Sequence, residues 1–283
     1  MKVGIICDLD FSRHPQFKSY YYALETLYGK IPILVKDKKD LVNLDLLIIG
    51  DDHYDGHKKI IEQPGFINVC NTLNIPVVVL TTERIFDSFF AWNIDNYNKI
   101  KQFKNLHHYT ADVDDCEKLG TGIHRISISK KYKDIYKIKD KKNAIIFVGS
   151  TRCKMGSYDE RRRLLEKMKK EINLEIIDSG LPAWEDYIRT IAQYRFVFSP
   201  LGNGNFLPTR FYETLAVGSI PVQQVRHNTL KYYDIESNFK DCIFFEDGVE
   251  VKYLLKDYSF ENSTNELWTE DNLKMILKKE GFL

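Results

Sequence analysis

Arg210 and Glu213 stand three residues apart, shortly after the glycine-rich turn Gly202-Asn203-Gly204, and this combination can hold a diphosphate. A guanidinium is a planar fork that matches phosphate oxygens, a carboxylate accepts from sugar hydroxyls, and glycines let backbone N–H groups approach an anion. A spacing of three puts Arg210 and Glu213 on one helix face, with Phe211, Leu215 and Ala216 on the other. The arginine would then face phosphate and the glutamate ribose. The same spacing equally suits a solvated ion pair on a surface helix, which is its commoner use.

A second cation comes from the segment Tyr158 to Ile172. At about 100° per residue, Leu164, Leu165, Met168 and Ile172 define an apolar face with Arg161 near its centre, while Arg162 and Arg163 fall off it. An arginine at that inner edge either holds a ligand or pairs with an acid such as Asp178, because leaving it unpaired is costly.

The elements that must position these groups alternate between strand and helix, the pattern of parallel sheets with crossover helices. Phe196-Val197-Phe198 reads as an interior strand running into the glycine turn. Pro208 suits a helix start and Gly218 its end, and Ile220-Pro221-Val222 opens the next strand. Upstream, a strand Asn143 to Gly149 leads into the Arg161 helix, and a strand Leu174 to Ile177 runs into Asp178. A helix Trp184 to Gln193 precedes the Phe196 strand, and Cys242 to Phe245 forms a late one. In the first half, strands are expected at Lys2 to Cys7, Ile31 to Val35, Leu44 to Ile49, Ile75 to Leu80 and around Leu106 to Thr110, with helices at Phe17 to Tyr28 and Tyr54 to Glu62. Ser129 to Lys142 is polar and reads as a linker, a nucleic-acid tail being the alternative. Glu266 to Lys279 is an amphipathic helix with Leu267, Leu273, Ile276 and Leu277 on its apolar side.

The run Ser199-Pro200, Gly202, Gly204, Arg210, Glu213, Leu215, Ala216, Gly218, Ile220-Pro221-Val222 resembles the donor-binding segment of exostosin-like glycosyltransferases. Tyr187-Ile188 and Tyr194-Arg195-Phe196 look like that family's preceding helix and strand. The resemblance covers roughly residues 143 to 250 and departs from the family at Leu207-Pro208, where relatives often carry a polar pair. It implies an α/β chain of the GT-B fold, two Rossmann-like domains with parallel sheets and a cleft between them. On that pattern residues 1–128 are the acceptor-side domain, 129–142 the linker and 143–265 the nucleotide-sugar-binding domain, while the helix in 266–283 packs back on the first domain.

The implied chemistry moves a sugar from a nucleotide sugar, UDP rather than GDP by family habit, to a hydroxyl of a glycan acceptor, with inversion and with no cofactor or metal. Donor-binding residues on this reading are Arg210, Glu213, Arg161, Gly202, Asn203, Gly204, Ser199, Gly149 and Asp178. Arg161 is assigned to the pyrophosphate beside Arg210 because related enzymes place a basic residue there. Fixed cations and N–H dipoles would stabilise the departing diphosphate. Inversion needs a general base in the first domain, at a carboxyl end of a parallel strand. The acids there are Asp8 with Asp10, Asp51 with Asp52, and Glu83. Asp52 and Glu83 rank ahead of Asp8, with His14 and His53 in the same loops. A retaining spore-coat-type transferase, an inactive nucleotide-sugar-binding module and, last, a Mg-dependent haloacid-dehalogenase-type phosphatase are the alternatives.

Composition narrows the field. A chain of 283 residues suits about two domains, at roughly 100–200 residues each. Forty-one Lys and Arg against 40 Asp and Glu leave a formal charge of +1, without the basic excess of a nucleic-acid binder. Cys7, Cys70, Cys116, Cys153 and Cys242 have no metal or redox spacing and read as free thiols of a reducing, cytoplasmic setting. No apolar run approaches the roughly 20 residues of a membrane span. Asp8-Leu9-Asp10 with Gly50-Asp51-Asp52 imitates a haloacid-dehalogenase-type phosphatase, but the second acidic pair comes far too early. Asp112-Val113-Asp114-Asp115 lacks the glycine and distal glutamate of a calcium loop, and reads as a solvated turn or helix start.

Overall fold

The computed structural model describes residues 1–7, 15–51, 59–82, 84–86, 91–133, 135–151, 157–178, 183–202, 204–233, 239, 241–246, 248–256 and 268–283. They form two compact units: residues 1–131 with 268–283, and residues 132–267.

The first unit holds strands β1 (Val3–Ile6), β2 (Ile33–Leu34), β3 (Leu46–Asp51), β4 (Val77–Thr81), β5 (Leu106–Thr110) and β6 (Gly122–Ile123). They line up in the order β2-β1-β3-β4-β5-β6, and every pair is parallel. Strand residues alternate between the two faces, so a parallel sheet covered on both sides needs an almost continuous apolar run. Val3, Ile5, Leu46, Ile48, Val78 and Leu80 pack on one side with Tyr20 and Leu24 of the Pro15–Tyr28 helix. Ile6, Leu47, Ile49, Val77 and Val79 pack on the other with Phe66 and Cys70 of the Phe66–Thr72 helix.

The chain's last helix, Thr269–Lys279, belongs to this unit and packs Leu273, Ile276 and Leu277 into the first of those layers. Its acids tie it down: Glu270 accepts from Ser129 Oγ and, at 2.9 Å, from Lys130 N, while Glu280 binds Tyr109 Oη and, at 2.6 Å, His107 Nδ1. Asp112 caps the Val113–Leu119 helix by accepting from Asp115 N at 3.1 Å, the helix-start role expected of that acidic cluster, but Asp112 and Asp115 are buried rather than solvated.

The second unit repeats the winding with β7 (Lys142–Gly149), β8 (Glu175–Asp178), β9 (Tyr194–Ser199), β10 (Ile220–Gln224) and β11 (Ile243–Phe245), in the order β11-β10-β9-β7-β8 and again all parallel. The sheet's two faces bury Phe147, Phe196, Phe198 and Val222 on one side and Ile146, Val148 and Val197 on the other. The Ser157–Glu171 helix packs Leu165 and Met168 on the first face, and the Trp184–Ala192 helix packs Ile188 and Ile191 on the second.

Several residues of the stretch Ser129 to Lys142 are held within the two units. Ser129 and Lys130 bind Glu270 in the first unit, and Ile135 and Tyr136 pack on the second core. Lys141 Nζ donates to the carbonyls of Ala192 (2.6 Å) and Val217 (3.0 Å) and to Ser219 Oγ (3.1 Å). One ammonium thus satisfies two carbonyls at helix C-terminal ends, and burial lowers its pKa to about 8. The polar lettering of this stretch hides three buried acceptors that only the folded chain brings together. Among the described residues Cys7, Cys70, Cys116 and Cys242 are free thiols, while Cys153 lies outside them. No helix among the described residues is long and apolar enough to cross a membrane.

Candidate functional site

In the second unit β7 is the first strand in chain order, and its neighbours β8 and β9 lie on opposite sides of it. The winding therefore reverses between β7 and β9, and a crevice opens outside their carboxyl ends. Gly149 ends β7, Ser199 ends β9, and Leu201, Gly202 and Gly204 follow. The loop is pinned from below. Asn205 is fully buried, donates to Asn228 Oδ1 at 2.8 Å and accepts from Thr229 Oγ1. Gln224, at the end of β10, accepts from Leu201 N at 3.0 Å and donates to the Glu246 carbonyl at 3.4 Å, bracing the ends of three neighbouring strands.

Both sequence-predicted arginines reach this loop region. Arg161 Nε donates to the Leu201 carbonyl at 3.2 Å, and a Cβ on Gly202 would lie 3.0 Å from Arg161 Nη2. Asp178, the alternative partner, accepts from Thr151 N at 2.9 Å and so caps the turn after β7. Arg210 lies with its guanidinium 5.0 Å from the centre of the Phe147 ring, in cation–π range, and its Nη2 would stand 2.7 Å from a Cβ on Gly149. A side chain at position 149 would therefore have to displace the guanidinium laid against it. Arg210 Nε is buried and has no hydrogen-bond partner among the described residues, and neither has Ser199 Oγ. Such an unsatisfied donor costs about 1–3 kcal/mol, which a ligand oxygen would recover.

Glu213 is not on a solvated face: it is 6 % exposed. The Thr209–Ala216 helix buries Phe211, Tyr212, Glu213, Thr214 and Ala216, because Phe211 packs on Phe239 and Phe244 while the Trp184–Ala192 helix closes on Glu213. Trp184 Nε1 donates to Glu213 Oε1 at 2.7 Å. Burial pushes the Glu213 carboxyl up to about 7, against Trp184, Arg210 and Tyr187, which all favour its ionised form. The buried Tyr187 hydroxyl is raised by desolvation first and by Glu213 next, with Arg210 opposing. The surface ion pair is thereby excluded.

Beside the loop lies a polar pocket of about 270 Å³ between Arg161, Gly202, Gln224, Val225, Arg226 and Glu246. The sequence reading did not single out Gln224, Arg226, Glu246 or Trp184 as site residues. For Trp184 a signal existed: Trp184 and Tyr187 share one helix face at the same three-residue spacing as Arg210 and Glu213.

Asn203 and all of the base candidates, Asp8, Asp10, Asp52, Glu83, His14 and His53, lie outside the described residues, as does most of the expected helix Tyr54 to Glu62. Asp51 closes β3. Nearby in the first unit, His124 is fully buried, and Nε2 donates to the Thr81 carbonyl at 2.7 Å; burial lowers its pKa to about 4. Asp115 accepts from Ile85 N and, at 3.4 Å, from Phe86 N, and burial raises its pKa to about 6.

Two parallel, doubly wound sheets with a glycine-and-arginine loop at the second one's reversal point define an α/β chain of two Rossmann-like domains, the GT-B class of architecture. Solved structures agree. The chain is similar to an α1,3-fucosyltransferase over 99% of its own length and 89% of that chain, with a TM-score of 0.52 at 12% identity. It is also similar to an α-glucosyltransferase solved with UDP-glucose and DNA containing an abasic site, over 91% of each chain, with a TM-score of 0.50 at 11% identity. No protein-family model matches the chain, and no curated protein matches it significantly.

Proposed function

We propose that the chain is a glycosyltransferase whose second unit holds a nucleotide sugar and transfers the sugar to an acceptor hydroxyl. The observation that carries this reading is Arg210: a cation at the end of β7 with its Nε buried and unpartnered among the described residues, next to a braced glycine loop. That arrangement suits a diphosphate, and the neighbouring 270 Å³ pocket suits the nucleoside.

In the reaction the acceptor oxygen bonds to the anomeric carbon while the bond from that carbon to the diphosphate oxygen breaks. The acceptor's proton passes to a base, and the diphosphate leaves carrying the electron pair. Arg210 and Arg161 supply two fixed charges for that leaving group, so no metal is required. For the proton, Asp52 and Glu83 remain the proposed bases, ahead of Asp8, with inversion as the outcome. The donor is proposed to be a UDP-sugar. UDP-glucose in one similar structure supports this choice. DNA is present in that structure too, but a formal charge of +1 favours a glycan acceptor over nucleic acid here. The proposed setting is the cytoplasm.

The test is a thermal-shift panel of UDP, GDP and their sugars in EDTA. Ligand at a hundred times its Kd should stabilise the fold by about 2.7 kcal/mol. A selective shift by one nucleotide supports the donor site and its independence of metal. Absence of any shift across the panel would sink the proposal.

A further inference from the structure

The pocket beside the glycine loop has a carboxamide in its wall, Gln224. A carboxamide has two unlike ends: its oxygen accepts, its nitrogen donates, and a half-turn about the last side-chain torsion exchanges them. At Gln224 that exchange is blocked from both sides. Oε1 accepts from Leu201 N at 3.0 Å, and Nε2 donates to the Glu246 carbonyl at 3.4 Å. After a half-turn an N–H would face an N–H, and an oxygen an oxygen. The partners are themselves fixed by the sheet: Leu201 follows β9, Glu246 follows β11, and β10 pairs in parallel with both strands. Arg161 Nε also takes the Leu201 carbonyl at 3.2 Å, so residue 201 is held through its N–H and its oxygen.

An amide group carries two N–H bonds and two oxygen lone pairs, and each contact uses one of them. One N–H and one lone pair of Gln224 remain, and among the described residues neither has a partner. Because Leu201 and Glu246 lie on opposite sides of β10, the remaining pair falls between them, on the far edge of the amide. That edge is what a ligand in the pocket meets. Nucleobases divide into two classes by what they offer to it. Uracil and guanine present a carbonyl beside a ring N–H, whereas cytosine and adenine present an amino group beside a bare ring nitrogen.

We infer that Gln224 determines base specificity: its locked amide donates to the carbonyl and accepts from the ring N–H of uracil or guanine, and rejects cytosine and adenine. This deepens the donor-site reading above and rests on it, since it takes the nucleoside to occupy this pocket. A freely turning carboxamide would serve both classes. Gln224 cannot turn without breaking its bonds to Leu201 and Glu246, so an amino base sets donor against donor and acceptor against acceptor. The ribose and diphosphate fix the direction from which the base enters, so it cannot slide into another register. A site built to pair with one polar edge then rejects the other, because the pocket's own groups are left unpaired.

The experiment titrates UDP, CDP, GDP, ADP and pyrophosphate by calorimetry into the wild-type chain, Gln224→Glu and Gln224→Met, each checked for folding by circular dichroism. Wild type should bind UDP about tenfold tighter than CDP, the discrimination expected of one bidentate base contact, and GDP over ADP by the same reasoning. Gln224→Glu still accepts from Leu201 N but has no N–H to give. It should repel the uracil carbonyl, accept from the cytosine amino group and reverse the preference. The added charge acts on the same diphosphate in both ligands and cancels in their ratio. Gln224→Met should bring the UDP and CDP constants together while leaving pyrophosphate, which has no base, unchanged. If Gln224→Met fails to fold, the wild-type ratio and its reversal in Gln224→Glu still decide. Equal binding of the two base classes by wild type, or an unreversed preference in Gln224→Glu, overturns the inference alone. So does a loss of pyrophosphate binding in Gln224→Met as large as the loss of UDP, which would make the residue a brace for the loop. A wild-type chain that binds neither a nucleotide nor pyrophosphate removes the donor-site reading as well.

Discussion

At the ends of β7, β9 and β10 the second unit gathers two arginines and a bare glycine backbone; at the ends of β4, β5 and β6 the first unit gathers acids and imidazoles that each already hold a partner within the fold. Asp115 is spent on Ile85 N and Phe86 N, Asp112 on Asp115 N, His124 on the Thr81 carbonyl, and Thr81 Oγ1 lies 2.8 Å from His108 Nε2. In the second unit Arg210 Nε and Ser199 Oγ are buried without partners among the described residues. Each sheet reverses its winding once, the second between β7 and β9 and the first between β1 and β3, where residues 8–14 and 52–58 lie outside the described ones. In the second unit topology supplies the place, and Arg210, laid against Phe147 and Gly149, brings a buried cation to it.

That contrast is most directly broken at Arg210. Arg210→Ala should weaken nucleotide binding by about 30-fold or more, because a desolvated charged contact is worth about 2–5 kcal/mol. Calorimetry on the folded variant checks this, and a change under threefold would erase the difference between the two units. The variant also loses the cation over the Phe147 ring and the charge that favours the ionised Glu213, so its stability should fall rather than rise.

A smaller effect is expected from one methyl group placed in each unit. Gly149→Ala puts a Cβ 2.7 Å from Arg210 Nη2 and should weaken nucleotide binding about tenfold, as a displaced guanidinium loses close to one charge-assisted contact. Gly120→Ala in the first unit meets nothing within 4 Å but carries a φ of +64°, so it should cost about 1–2 kcal/mol of stability and leave binding intact. Equal binding losses in both variants would mean that the methyl acts through the fold, not through the site.

Proton linkage should separate Glu213 in the second unit from His124 in the first by sign. Glu213 rises to about 7 on folding, so the folded chain holds a proton that the unfolded chain releases above about 4.5. Its contribution is present at low pH and is lost as the pH rises from 4.5 through 7. His124 falls from 6.5 to about 4, so the unfolded chain takes up a proton first. Its contribution is present above 6.5 and is lost as the pH falls toward 4. Urea unfolding of wild type minus Glu213→Gln should therefore decline with pH by on the order of 2 kcal/mol, and wild type minus His124→Asn should climb. Asp115 shares the sign of Glu213 and cancels within each difference. Slopes of the same sign would refute the assignment of a neutral interior histidine.

The finest discrimination lies within one helix. Arg162 is paired with Asp159 at 3.2 Å across an exposed i,i+3 step, and Arg162→Ala should change stability by no more than about 0.5 kcal/mol and binding not at all. Arg161→Ala, one residue away, should weaken nucleotide binding measurably. A binding defect in Arg162→Ala would place the wrong edge of the helix against the loop.

The sequence by itself determined the alternating elements, the apolar strands covered on both faces, the glycine turn after Phe198 and the helix register that turns Arg161 inward. These are local: side-chain period, glycine and proline punctuation and helical geometry all act within a few residues. Only tertiary structure decided what each polar group touches. Spacing put Arg210 and Glu213 on one face but left open a solvated pair, and it took Trp184, some thirty positions away in the chain, to bury the glutamate. The same holds for Lys141, lettered as part of a polar linker, whose three acceptors come from residues 192, 217 and 219. Burial and hydrogen-bond partners depend on which distant segments the sheet order brings side by side, and no short stretch of sequence encodes that order alone.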